Sequence, residues 1–150
     1  MIRISKLADY AVVILSIMGR SDDELLSAAK LSALSRVPEP TVSKILKMLS
    51  KSCIIQSRRG IHGGYALSMD PSEITVESII NAIDGPVLIT QCADGGDAVC
   101  SLGPDCAMRG RWNEVNCAIR DALSSVSLNS IMLDADQVCV SQDKVRAINA

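Results

Sequence analysis

Residues 38–67 read "PEPTVSKILKMLSKSCIIQSRRGIHGGYAL", and this stretch decides the fold. It opens on a turn, and Pro40 suits the first turn of a helix, where a missing N–H costs nothing. The helix that follows, "TVSKILKMLSKS", places Val42, Ile45, Leu46 and Leu49 on one face. Ser43, Lys44, Lys47 and Lys51 are left to point elsewhere. Two short apolar segments then flank the turn "RGIHGG", which reads as a β-hairpin with Arg58, Arg59 and His62 at its tip.

Toward the N-terminus, Leu7, Ala11, Ile14, Leu15 and Met18 predict a helix from about Lys6 to Arg20, broken by "SDDE". Ser27 can cap a second helix, "AAKLSALSRV". Two helices, a turn, a third helix and a Gly-tipped hairpin form the order of a winged helix-turn-helix. A third helix of that width enters the DNA major groove. Thr41 and Ser43 can contact bases or phosphates, and Lys44 and Lys47 neutralise phosphates. Arg58, Arg59 and His62 sit where a narrow wing enters the minor groove, whose negative potential favours arginine. Taken singly, each of these residues also fits a solvated surface; the ordered combination carries the reading.

Toward the C-terminus, Thr75 caps a helix, "VESIINAIDG", ended by Gly85 and Pro86. About twenty residues without periodicity follow, a length that points to function or disorder. From Arg111 onward, Trp112, Val115, Ile119, Ala122 and Val126 are spaced 3, 4, 3, 4. That a/d pattern suits either an amphipathic helix on its own core or a dimer seam. The expected organisation is a winged helix-turn-helix domain over 1–85, a cysteine-rich loop over 86–110, a long helix over 111–133 and an unassigned tail over 134–150. The expected class is mainly α with a small β-hairpin wing.

Composition agrees. The 150 residues are 48% apolar but include only Tyr10, Tyr65 and Trp112 as aromatics, so the core must be aliphatic. The net charge of −2 hides an asymmetry: residues 1–70 carry ten Lys/Arg against six Asp/Glu, and residues 71–150 carry five against eleven. A basic front half hints at a polyanion partner. The apolar run Ala11–Met18 is too short to span a membrane, and no cleavage site follows it, so a cytoplasmic protein with no membrane partner is expected. No nucleophile–histidine arrangement or phosphate loop is visible, so no enzyme activity is expected.

Three of the six cysteines lie in the stretch 92–106, as Cys92-x7-Cys100-x5-Cys106. Thiolates suit zinc and iron–sulfur clusters. Zinc sites favour closely spaced cysteine pairs, and none occurs here. On spacing alone a cluster, zinc, a thiol redox switch and no ligand role all stay open. Cys53, beside an apolar segment, reads as a small buried hydrophobe. Neither it nor Cys117 nor Cys139 is assigned a role.

The segments "RISKLADYAV", "PTVSKILKML", "RRGIHGGYAL" and "ITVESIINAIDGPV", together with the cysteine loop, resemble the IscR/NsrR family of winged-helix regulators over roughly residues 1–130. The opening "RISKLADYA" and the run from Cys106 through Arg109 and Gly110 to Trp112 look closest to the branch that regulates the SUF iron–sulfur assembly system. The resemblance implies a homodimer on a pseudo-palindromic operator in double-stranded DNA, with the last long helix as the dimer element. It implies an iron–sulfur cluster, 2Fe–2S or 4Fe–4S, held by Cys92, Cys100 and Cys106. Some relatives add a His three residues after the last cysteine; here Arg109 stands there, and it stays protonated. Nitric-oxide-sensing relatives use an Asp near the start of the first helix of the other subunit, the position of Asp9. Asp9 is therefore the expected fourth ligand. A water or small thiol, His62 or an off-loop cysteine compete, and Asp9 also suits a helix N-terminus on its own account. The expected function is a transcription regulator, a repressor by type, whose operator affinity is set by the cluster. A cluster-free thiol switch and a nitric-oxide-sensing repressor are the alternatives.

Overall fold

The structure is a computed structural model that describes residues 3–21, 25–60, 63–90, 93, 106–107 and 110–134. Helix α1 (Lys6–Gly19) starts where the Ser5 hydroxyl accepts the Ala8 N–H at 3.0 Å, and it buries Ala8, Ala11, Ile14, Leu15 and Met18. Helix α2 (Ala28–Ser35) is capped by Ser27, which accepts the Lys30 N–H at 3.2 Å. Helix α3 (Glu39–Lys51) carries Pro40 in its first turn and buries Val42, Ile45, Leu46 and Leu49. Strands β1 (Ile55–Arg58) and β2 (Gly64–Leu67) pair antiparallel, Ile55 opposite Leu67 and Arg58 opposite Gly64. Helix α4 (Val76–Asp84) is capped by Thr75, which accepts the Ser78 N–H at 3.1 Å. Helices α5 (Asn113–Ser124) and α6 (Leu128–Asp134) complete the described chain.

Helix α1 is the hub: α2, α3, α4, α6 and β2 all touch it. The core between them is aliphatic, built from residues such as Ile14, Leu15, Leu31, Ile45, Leu46, Leu49, Ile79 and Leu128. No helix among the described residues is long and apolar enough to cross a membrane.

Three features differ from the sequence reading. First, the wing has a third edge. Leu26 and Tyr65 exchange both backbone hydrogen bonds, at 3.0 and 2.9 Å, so the segment before α2 pairs with β2. A Cβ on Gly64 would stand 3.0 Å from the Leu25 carbonyl carbon and the Leu26 oxygen, so any larger residue would push this bridge apart by a few tenths of an ångström.

Second, the helix expected over 111–133 is two helices. It stops at Ser124, because the next residues join α4 instead. The Val76 N–H bonds to the Val126 carbonyl at 2.9 Å, and the Leu128 N–H to the Ile74 carbonyl at 2.7 Å. The Ser127 hydroxyl then accepts the Ser130 N–H and opens α6. Val126 is thus off the helix, and Leu128 is drawn fully into the core.

Third, Cys53 is exposed, not buried. It takes the left-handed position after α3, at φ 57°. Its N–H bonds to Ser50 O and that of Ile54 to Leu49 O, each at 3.2 Å. This pair of bonds closes a helix C-terminus and turns the chain into β1, and it points the residue outward while Ile54 turns in.

Candidate nucleic-acid interface and cysteine loop

The buried stripe of α3 fixes what its other side shows. With Val42, Ile45, Leu46 and Leu49 inward, Ser43, Lys44 and Lys47 are exposed and Thr41 is half-buried. Helix α3 contacts β1 and runs into it through Cys53. Strand β1 then delivers Arg58 and Arg59, both exposed, to the wing. Among the described residues none of these four cations has an acidic partner within ion-pair distance. The surface therefore presents uncompensated positive charge on one helix and on the hairpin it leads to, the charge pattern that a phosphate backbone neutralises. A Cβ on Gly63 would lie 2.4 Å from the Arg58 carbonyl oxygen, so the wing closes only around glycine. His62 lies outside the described residues.

Of the cysteine loop, Cys106 is described; it is half-buried and free of any disulfide. Cys92 and Cys100 lie outside the described residues, as does Arg109. On the N-terminal side of the loop, the Ile89 N–H donates to Oδ1 of Asn116 at 3.1 Å, and the Ala93 N–H to Thr90 O at 3.2 Å. On the C-terminal side, Nε of Arg111 donates to the Ala107 carbonyl at 3.1 Å. Asp9 sits exposed in the first turn of α1. It lines a surface cavity with Ser5, Lys6 and Val12 of the same region, Val76 of α4 and Ile131 of α6.

Helix α5 buries a polar residue. Its most enclosed residue is Asn116, at 0% exposure. Arg120 and Glu77 of α4 form an ion pair at 2.9 Å, and the Ser124 hydroxyl donates to the other oxygen of the same carboxylate. Those bonds hold the Glu77 carboxyl below its ordinary range, Ser124 contributing most and Arg120 next. Of the expected seam, Trp112 just before the helix is 40% exposed, Val115 45%, and Ala122 is exposed; Ile119 is half-buried. The helix thus buries Asn116 and joins Arg120 and Ser124 to α4, while Val115 and Ala122 stay exposed. Sequence reasoning missed Asn116, Arg120 and Ser124, although their i, i+4, i+8 spacing marks a second stripe beside the apolar one.

Comparison with known proteins accords with this geometry. The family model Rrf2, described as an iron-dependent transcriptional regulator, matches residues 4–134. The HTH-type transcriptional regulator IscR of Photorhabdus laumondii is 30% identical over 152 residues, covering 98% of this chain and 92% of the relative. NsrR of Oceanobacillus iheyensis, also an HTH-type transcriptional regulator, is 24% identical over 136 residues, covering 90% and 92%. The solved structure of CymR, the global cysteine regulator of Bacillus subtilis, superposes with a TM-score of 0.68 at 22% identity, covering 88% of this chain and 97% of that one.

Proposed function

The chain belongs to the Rrf2 family of transcriptional regulators, and from that premise we propose that it is a DNA-binding homodimer, not an enzyme, whose operator affinity is controlled by an iron–sulfur cluster. The observation that carries the DNA-binding part is the cationic surface of Lys44 and Lys47 on α3 and of Arg58 and Arg59 on the wing, unpaired among the described residues. In a dimer, two copies of α3 meet half-sites about one DNA turn apart, so the angle between subunits governs binding. The outward apolar face of α5 supports dimerisation through Trp112, Val115, Ile119 and Ala122, with Val126 beyond the helix end.

The donor set fits a cluster. Three soft thiols occur in the Gly/Asp-rich stretch 92–106, and Cys106 is free and half-exposed. Cys92, Cys100 and Cys106 hold the cluster in this reading, and Asp9 of the partner subunit is the fourth ligand. The open cavity beside Asp9 leaves its carboxylate accessible to a second chain. When bound, the cluster supplies a set of ligand bonds that oxidants, nitric oxide or iron shortage can break. The protein's part is to tie two elements: Cys106 lies seven residues ahead of α5, and Asp9 heads α1. Holding them together fixes how the two α3 helices face the operator, and releasing them relaxes that spacing. A role in cytoplasmic control of iron–sulfur assembly genes of the SUF type follows from the family branch that the N-terminal segment resembles.

Iron and acid-labile sulfide analysis of anaerobically purified protein tests the reading. Both are expected in near-equal amounts, and a colourless zinc-loaded protein overturns it. Asp9→Ala should then speed cluster loss without unfolding the chain; an equally stable cluster moves the fourth ligand elsewhere. A cluster-free thiol switch predicts instead peroxide-dependent DNA binding by iron-free protein.

A further inference from the structure

Asn116 is fully buried, yet half of its carboxamide is unused. Its Oδ1 accepts the Ile89 N–H at 3.1 Å. A backbone N–H can only donate, so this bond fixes which end of the amide is oxygen. The Nδ2 group is then left buried, with no hydrogen-bond acceptor among the described residues. Buried polar groups in folded proteins are almost always satisfied, and an orphaned one calls for a function or an absent partner. A leucine of the same size would remove the orphaned donor, although it would also take the acceptor from the Ile89 N–H.

The place of this donor names its partner. Ile89 is three residues ahead of Cys92, and three residues of chain reach at most about 10 Å. The chain is anchored again at Ala93, which is fully buried and bonds back to Thr90. Cys92 therefore stands in sequence between two anchored points, the first held by Asn116 itself. Coordinated thiolate sulfurs accept N–H donors, and such bonds orient the ligand and raise the reduction potential of a cluster.

Resting on the cluster reading above, we infer that Asn116 is the positioning residue of the cysteine loop: Oδ1 tethers the chain ahead of Cys92, and Nδ2 donates to a loop thiolate when the metal group is bound. The amide thereby links the loop to the inner stripe of α5, the helix whose outer stripe meets the partner subunit.

Full-length wild type and Asn116→Leu, reconstituted anaerobically with ferrous iron and sulfide, test this. The isosteric leucine removes the orphaned donor and the acceptor of the Ile89 N–H together, two effects of opposite sign, so the iron-free protein should fold and melt close to wild type. The loaded variant should lose iron to a chelator about tenfold faster or more, and its reduction midpoint should move to a more negative potential. Asn116→Ala, which admits water to the Ile89 N–H, serves where leucine fails to fold, with the same expectations for the cluster. Equal cluster lifetime and equal midpoint in wild type and variant overturn the inference. So does a lower melting temperature with both cluster readouts unmoved, which assigns Asn116 a purely structural role. A wild type that takes up no iron and sulfide overturns the cluster reading itself, a result visible before any variant is compared.

Discussion

Arg120 donates through Nε to Oε1 of Glu77 across 2.9 Å, and this contact fastens α5 to α4. The Ser124 hydroxyl completes the grip on the same carboxylate one helical turn later. Because these bonds are made to the charged form, they hold the Glu77 carboxyl below its ordinary range, Ser124 first and Arg120 second. The native state thus takes up this proton at lower pH than the unfolded chain does. The stabilisation is present above the unfolded carboxylate value, about 4.3, and is lost as pH falls through the lower folded value. Thermal melts from pH 7 down to pH 3 should show that loss, and Ser124→Ala should reduce it. The contact is partly exposed, so the effect at neutral pH should be about 0.5–1 kcal/mol. A Ser124→Ala curve parallel to wild type across the acid range contradicts the assignment.

Cys53 offers a second check, on the turn between α3 and the wing. A left-handed backbone at a non-glycine residue costs about 1–2 kcal/mol. Here Cys53 holds φ 57° with its side chain exposed, so no packing is lost on removing it. Glycine also loses more freedom on folding, which offsets part of the gain. Cys53→Gly should therefore raise stability by about 0.5–1 kcal/mol in urea unfolding. Destabilisation by the substitution would mean that the thiol makes a contact within the dimer.

The helices that bury an aliphatic stripe were legible because the stripe is written at helical spacing and ended by residues with local meaning. Ser5 escaped notice as the α1 cap, while Ser27, Pro40 and Thr75 declared their ends directly. What stayed hidden depends on contacts between distant segments. The pairing of Leu26 with Tyr65 is one of these, because a single bridge carries no periodicity. Val126 continued an a/d pattern perfectly, yet its backbone was claimed by Val76, fifty residues away. Cys53 was misplaced because apolar neighbours suggested burial, whereas the turn geometry reserved its position for an outward residue. On the site, the cationic residues of α3 followed from knowing the buried face. Asn116 could not be found that way, since its significance lies in Ile89 and in an amide with one end unused.

DNA contacts can be sorted by their salt dependence. Lys44 and Lys47 are exposed and unpaired among the described residues, so each should act on phosphates. Replacing either by alanine should weaken binding across sequences and flatten the plot of log affinity against log salt by about 0.9. Arg59→Ala should instead weaken binding to the operator by about 1–3 kcal/mol while sparing non-specific DNA. Fluorescence anisotropy over a salt series reads both. An unchanged slope for the lysine variants, or equal losses on both DNAs for Arg59→Ala, rejects the corresponding role.

The exposed apolar residues at α5 give the sharpest test of assembly. Val115 is 45% exposed, so in an isolated subunit a charge there meets water and costs within about 0.5 kcal/mol of nothing. In a seam of Trp112, Val115, Ile119 and Ala122 the same charge is desolvated without a partner, at a cost of several kcal/mol. Val115→Asp should therefore sediment as a monomer at micromolar concentration where wild type is a dimer. Its melting temperature should fall toward that of dilute wild type, because a subunit that no longer associates loses the stabilisation that mass action provides. Asp121→Asn, exposed on the same helix but outside the apolar stripe, should stay dimeric. A Val115→Asp protein that remains a dimer would place the interface on another surface and leave the outward stripe of α5 without its explanation.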